Sequence, residues 1–199
     1  LKGRRFAMIN TVFMDGLRDA PKAAFNRAVA RLEAAGATID VIEVAAVQEA
    51  LDVSGPLITC EAYGLWRDVI ESAPEKMYEE ILRRFRLGRD FSGPDYVSAW
   101  ARLDAARQAY DQATAGYDAI LAPTSAILAP ELERLNSDPD YYVTENLMAL
   151  RNTRIGNLLG LCALTLPTGV PSCGLMLQAA PGFDDALLRL GAAAEAALS

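Results

Sequence analysis

Arg151-Asn-Thr-Arg154-Ile-Gly-Asn157 is the segment of this 199-residue chain whose side chains are best suited to hold a ligand. Two arginines three apart share one face of a helix, and two amides flank them ahead of an apolar stretch. A guanidinium presents a rigid fork that matches a carboxylate, and an asparagine can satisfy neighbouring carbonyls. The segment therefore reads in two ways. Arg151, Arg154 or Asn157 contacts a substrate, or the group closes a helix end and pins the next strand. A second basic cluster, Arg83-Arg84-Phe-Arg86-Leu-Gly-Arg89, is either a patch for an anionic substrate or a solvated helix face countering Glu75, Glu79 and Glu80.

Covalent chemistry is harder to place. Ser125, in Pro123-Thr124-Ser125, would need a base and oxyanion donors to act as a nucleophile. The chain has no histidine, which removes Ser-His-Asp and Cys-His arrangements and the usual zinc sites. Its lysines are Lys2, Lys22 and Lys76, none in a glycine-rich setting. Pro123-Thr124-Ser125 thus reads as a strand-ending turn, with Thr124 lining a pocket. Gly169 to Gly174 lacks the spacing and the lysine of a phosphate loop.

The elements that must position these groups follow from periodicity and breakers. Arg4 to Asn10 reads as a strand, Phe13 to Gly16 as a loop, and Pro21 as part of a first helical turn. Phe25, Ala28, Val29 and Leu32 share one face of that helix, and Gly36 ends it. Thr38 to Val44 is β-branched and gives a strand–helix–strand unit, with a right-handed parallel crossover as the default. From Val47 to Leu87 two or three helices are broken at Ser54-Gly-Pro56 and Ser72-Ala-Pro74. Ser92-Gly-Pro-Asp95 starts the longest helix, whose core stripe runs Tyr96, Trp100, Leu103, Ala106, Tyr110, Ala113. Ala119 to Ala122 is a buried strand and 131–142 a loop with a polar tip. Leu158 to Pro167 is an apolar run of strand length containing the strand Ala163 to Leu166, and Gly174 to Leu177 is another. A final helix from Asp184 to Ala197 carries two acids in its first turn, where the helix dipole favours them.

Composition limits the partners. A self-contained fold of this length buries roughly 70% of its unfolded surface. A hydrophobic content of 52% with mean hydropathy +0.12 hints that some apolar surface belongs against something else, and leaves room for a homodimer. No apolar run reaches about 18 residues, so no membrane span is expected. The net charge of −7 carries no nucleic-acid footprint. Cys60, Cys162 and Cys173 read as reduced thiols packed in a cytoplasmic protein. With Leu1 in place of a methionine, the chain is expected to begin inside a longer reading frame or after a processing cut.

Three stretches together carry a resemblance. Asp118-Ala-Ile-Leu-Ala-Pro-Thr124, then Arg151 through Leu158-Leu-Gly-Leu-Cys-Ala-Leu-Thr-Leu-Pro-Thr-Gly169, then Cys173-Gly-Leu-Met-Leu-Gln178 before the closing helix resemble the C-terminal half of the amidase signature family. The resemblance spans nearly the whole chain, with its specific motifs in the last eighty or so residues. It implies an α/β fold, a mixed sheet sandwiched by helices, present here as a single partial domain over 1–199. Members are similar in using a Ser-Ser-Lys triad from a Gly/Ser-rich segment upstream, and no such segment occurs in these residues. The implied protein hydrolyses a small-molecule carboxamide through a serine acyl-enzyme, without metal or cofactor, and this chain supplies scaffold and pocket wall.

The same resemblance implies that the chain has no catalytic residue of its own, is inactive alone and partners the N-terminal half of the enzyme. Arg151 to Asn157 falls in the segment that lies near the acyl-side pocket. Arg84 looks like the arginine at a helix end that reaches the substrate in the glutamine-transferring members. Those members place an acid where Leu150 stands, which argues against a glutamine substrate. A non-catalytic α/β binding or scaffold module is the alternative.

Overall fold

The computed structural model describes residues 1–199. Its strands are β1 (Arg5–Ile9), β2 (Thr38–Ile42), β3 (Ala119–Pro123), β4 (Cys162–Pro167) and β5 (Gly174–Ala179). They form one sheet in the order β2-β1-β3-β5-β4, with β1 parallel to β2 and β3, and β5 antiparallel to both β3 and β4. The sheet is therefore mixed, as expected. The helices are α1 (Asp19–Ala34), α2 (Ala46–Asp52), α3 (Ser54–Ser72), α4 (Glu79–Arg86), α5 (Gly93–Thr114), α6 (Leu132–Ser137), α7 (Pro139–Leu159) and α8 (Asp184–Leu198). None is long and apolar enough to cross a membrane.

Strand alternation divides the core into two layers. Ala7, Ile9, Ile120, Ala122 and Met176 face α2, α5 and α7. Phe6, Ala119, Leu121, Leu175 and Leu177 face α1 and α8 on the other side. The β-branched and apolar runs read as strands are the strands, and α5 is the longest helix. Its predicted stripe holds for Leu103, Ala106 and Tyr110, which are buried, whereas Tyr96 and Trp100 sit at the edge of that core and Ala113 is exposed.

The entry to α5 is a reciprocal cap. Asp95 N–H donates to Ser92 Oγ at 3.2 Å, and Ser92 N–H donates to Asp95 Oδ2 at 2.9 Å. The Ser92 hydroxyl, which donates to Asp95 Oδ2 at 2.6 Å, and then the Ser92 N–H hold the Asp95 carboxyl below its ordinary value of 3.8. Ser92→Ala should cost about 1 kcal/mol and lower Tm by a few degrees. A carboxylate depressed on folding adds stability above its unfolded value and loses it in acid. The wild-type advantage over Ser92→Ala should accordingly be full at neutral pH and shrink below about pH 4 in melts recorded across that range.

Two expectations are corrected. The stretch 131–142 is helical, comprising α6 and the first turn of α7. Its polar tip is an N-cap: Asp138 Oδ1 accepts from Tyr141 N–H at 3.0 Å, and Pro139 takes the first helical position. The Arg151–Asn157 segment does not sit at a helix end. It lies inside α7, which runs on to Leu159 and stops at Gly160, whose φ of +72° caps the helix. The apolar run from Leu158 is thus half helix end and half β4.

Candidate functional site

The two faces of α7 do different work. Its inner face grips the β1–α1 loop. Asn152 is 0% exposed, and its Nδ2 donates to Phe13 O at 3.2 Å and to Pro123 O at 2.7 Å. Arg151 donates to Phe13 O at 3.1 Å, to Asp15 O, and through Nε to Asn152 Oδ1 at 3.1 Å. Burial lowers the Arg151 guanidinium from its ordinary value, with Asp15 opposing in part. About two turns earlier, the buried Glu145 carboxylate pairs with Arg18 at the end of the same loop. Arg151 is spent on backbone carbonyls.

The outer face presents Leu150, Thr153, Arg154 and Asn157, residues spaced three and four apart, to a cleft between α3, α4, α5 and α7. The cleft measures about 530 Å³, within the range of small-molecule sites. Leu57, Ile81, Phe85, Trp100 and Leu103 line its apolar wall, and Arg84 enters from α4. Arg84 Nη1 donates to Asn146 Oδ1 at 2.7 Å, which orients it without neutralising it. Arg154 is half-buried and has no protein hydrogen bond or ion pair. Burial, and then the neighbouring Arg84 charge, hold its guanidinium below the ordinary value.

The other arginines nearby are accounted for. Arg83 pairs with Glu80 at 2.7 Å and Arg86 with Glu71 at 2.6 Å, so that part of the basic cluster is the solvated, acid-balanced face. Arg107, also on the cleft wall, gives Nε to Leu158 O at 2.8 Å and Nη1 to Asp104 at 3.3 Å, beneath the Trp100 ring. Of the four clustered arginines only Arg84 lines the cleft.

Thr124 lies elsewhere, at the C-terminal end of β3. Its N–H donates to Gly174 O at 3.0 Å and its hydroxyl to Thr165 Oγ1 at 3.2 Å. Ser125 closes a tight turn on Ile127, accepting from its N–H at 3.3 Å and donating to its carbonyl at 3.0 Å. Arg84, Arg154 and Asn157 are therefore brought together, while Arg151 and Thr124 stand apart from them. Sequence reasoning passed over Asn152 as a cross-tie and Asn146 as the partner of Arg84. The i, i+3, i+7 spacing of Asn152, Ile155 and Leu159 carried a signal for the first, because it places an amide on the buried face.

The sequence model of the family described as Amidase matches residues 1–188. The chain belongs to the Amidase family. Among curated relatives of this Amidase chain, the 2-amino-5-chloromuconic acid deaminase of Comamonas testosteroni is 27% identical over 202 residues, covering 98% of this chain and 44% of its own length. An amidase of Pseudomonas putida is 28% identical, with 99% of this chain and 43% of its own length covered. In fold, the chain is similar to a crystal structure of an amidase (TM-score 0.84, 23% identity, all of this chain and 46% of that one). It is also similar to allophanate hydrolase from Kluyveromyces lactis (TM-score 0.85, 23% identity, 98% and 32%). The chain spans less than half the length of the curated relatives it matches, so these Amidase residues correspond to part of a larger fold.

Proposed function

We propose that residues 1–199 form a partial domain of an enzyme that hydrolyses the C–N bond of a non-peptide carboxamide through a serine acyl-enzyme. The nucleophile and its proton relay belong to the N-terminal half of the same protein, and this chain contributes scaffold and one wall of the substrate pocket. The observation that carries this reading is the Amidase match over 1–188, joined to a small-molecule-sized cleft in which the Arg154 and Asn157 side chains have no partner within this chain. Within this chain Ser125 is tied to Ile127 and no histidine is present, so the isolated chain is expected to be inactive. Arg154, Arg84 and Asn157 face the substrate. Arg151 belongs to the scaffold, and Thr124 borders the part of the site completed by the other half.

In the complete enzyme, Arg154→Ala should lower kcat/KM on its best amide by roughly 10–150-fold, the loss of one charge-assisted hydrogen bond worth about 1.5–3 kcal/mol. Its Tm should change little, because Arg154 has no protein partner to lose. Arg151→Ala should do the reverse, lowering Tm by freeing the Phe13 and Asp15 carbonyls while the folded fraction keeps its kinetics. A destabilised Arg154 variant with normal kcat/KM would move that residue to the scaffold. An Amidase protein of full length that turns over no amide would favour the non-catalytic module.

A further inference from the structure

We propose that the amide taken by this cleft carries a carboxylate, held jointly by Arg84 of α4 and Arg154 of α7. The inference rests on the reading of the cleft as the substrate pocket and adds the class of substrate.

Two guanidiniums, brought by different helices to one half-buried wall, repel each other, and no carboxylate of residues 1–199 lies between them. Neither Arg84 nor Arg154 has an acid within ion-pairing distance, although Arg83, Arg86, Arg107 and Arg18 all pair with one. Glu61 is the one acid lining the cleft and bridges neither of them. The arrangement costs stability in the empty protein, and a bound anion relieves it. A carboxylate offers two in-plane oxygens that match guanidinium forks, gaining charge-assisted bonds in a setting where solvent screens them weakly.

The remainder of the wall defines the rest of the ligand. Leu57, Phe85, Trp100 and Leu150 suit a short hydrocarbon body, and Asn157 offers an amide donor and acceptor. Arg107 adds positive charge to the wall, but its Nε and Nη1 are already engaged by Leu158 O and Asp104. The substrate class that fits is a small monoamide of a dicarboxylic acid or a close analogue.

The test uses the full-length enzyme and the monoamides from succinamate to suberamate, each against the unbranched alkyl amide of equal chain length. Wild-type kcat/KM should favour the best carboxylated member over its neutral partner by roughly 10–150-fold. Arg84→Gln and Arg154→Gln should each erase most of that preference. Arg154→Gln should also melt at or above the wild-type temperature, since a repulsion is removed. Calorimetric titration with the matching dicarboxylate should give binding in wild type that is lost in Arg154→Gln.

The inference is overturned if neutral and anionic amides are hydrolysed equally, or if the preference survives both substitutions. Either result leaves the amide-hydrolase reading standing. If no amide is turned over but the dicarboxylate binds through Arg154, that reading fails and the anion site stands. If the dicarboxylate fails to bind as well, both fall.

Discussion

Asn152→Ala in the full-length enzyme is expected to lower stability by about 3–5 kcal/mol, a fall in Tm on the order of ten degrees. The side chain is fully buried and ties together three segments far apart in sequence: the β1–α1 loop through Phe13 O, the end of β3 through Pro123 O, and Arg151 on its own helix. Alanine removes the side-chain donor to Pro123 O and the acceptor for Arg151 Nε, and leaves Phe13 O with Arg151 as its remaining side-chain donor. Each orphaned buried group costs about 1–3 kcal/mol, far more than a net hydrogen bond contributes. Asn152→Asp keeps the volume and still accepts from Arg151, but near neutral pH it turns the donor to both carbonyls into a repelling oxygen. It should therefore be destabilising as well. Thermal melts of the two variants beside Arg151→Ala check the argument. If Asn152→Asp melts like wild type, the two carbonyl contacts contribute nothing and the cross-tie is not what holds the loop.

Gly88→Ala is expected to cost about 3 kcal/mol and to reduce kcat/KM as well. Gly88 sits in the 3-10 turn Leu87–Asp90, where a Cβ would stand 2.0 Å from Thr59 O and 2.9 Å from Tyr63 Cβ on α3. The obstacle is helix backbone, which cannot rotate aside as a side-chain tip can. The turn must lift off α3, straining the contact of Cys60 Sγ with Gly88 O at 3.5 Å. It directly follows α4, so the displacement carries Arg84 with it. Native melting and unchanged kinetics in Gly88→Ala would mean that α3 and the turn part without consequence.

The sheet was open to reading from sequence because each strand is a short β-branched or apolar run bounded by Gly, Pro or Asp, and local chemistry decides such cases. The element boundaries near α7 were not. The polarity of Asn136 to Asp140 fits a loop tip and a helix cap equally, and the spacing of Asp138 and Pro139 selects the cap. Arg151 and Arg154 look interchangeable in the sequence because they share charge and neighbourhood. Three residues of helix rotate them by about 300°, enough to send one toward the β1–α1 loop and the other toward the cleft. What decides between binding and bracing is which carbonyls lie opposite, and those come from Phe13 and Asp15, remote in sequence. Arg84 stands out from Arg83 and Arg86 only once α7 is packed beside it. The Amidase resemblance named a pocket segment but left the choice among its side chains to packing.

The order of strands in the sheet also sets a schedule for making the protein. β4 and β5 form a hairpin from neighbouring residues, so their pairing closes quickly once both are available. β1 and β3 are neighbours in space, yet Arg5 N–H meets Asp118 across 113 intervening steps of chain. At a ribosomal rate of roughly 5–20 residues per second, β1 waits something like 6–20 s for that partner. During the wait Phe6, Ala7 and Ile9, all buried in the finished sheet, pair with β2 alone and lack the cover of β3, α7 and α8. Nascent chains stalled before residue 119 should consequently be the ones that chaperones hold and proteases cut, whereas release of the completed α5–β3 stretch lets the parallel half of the sheet close.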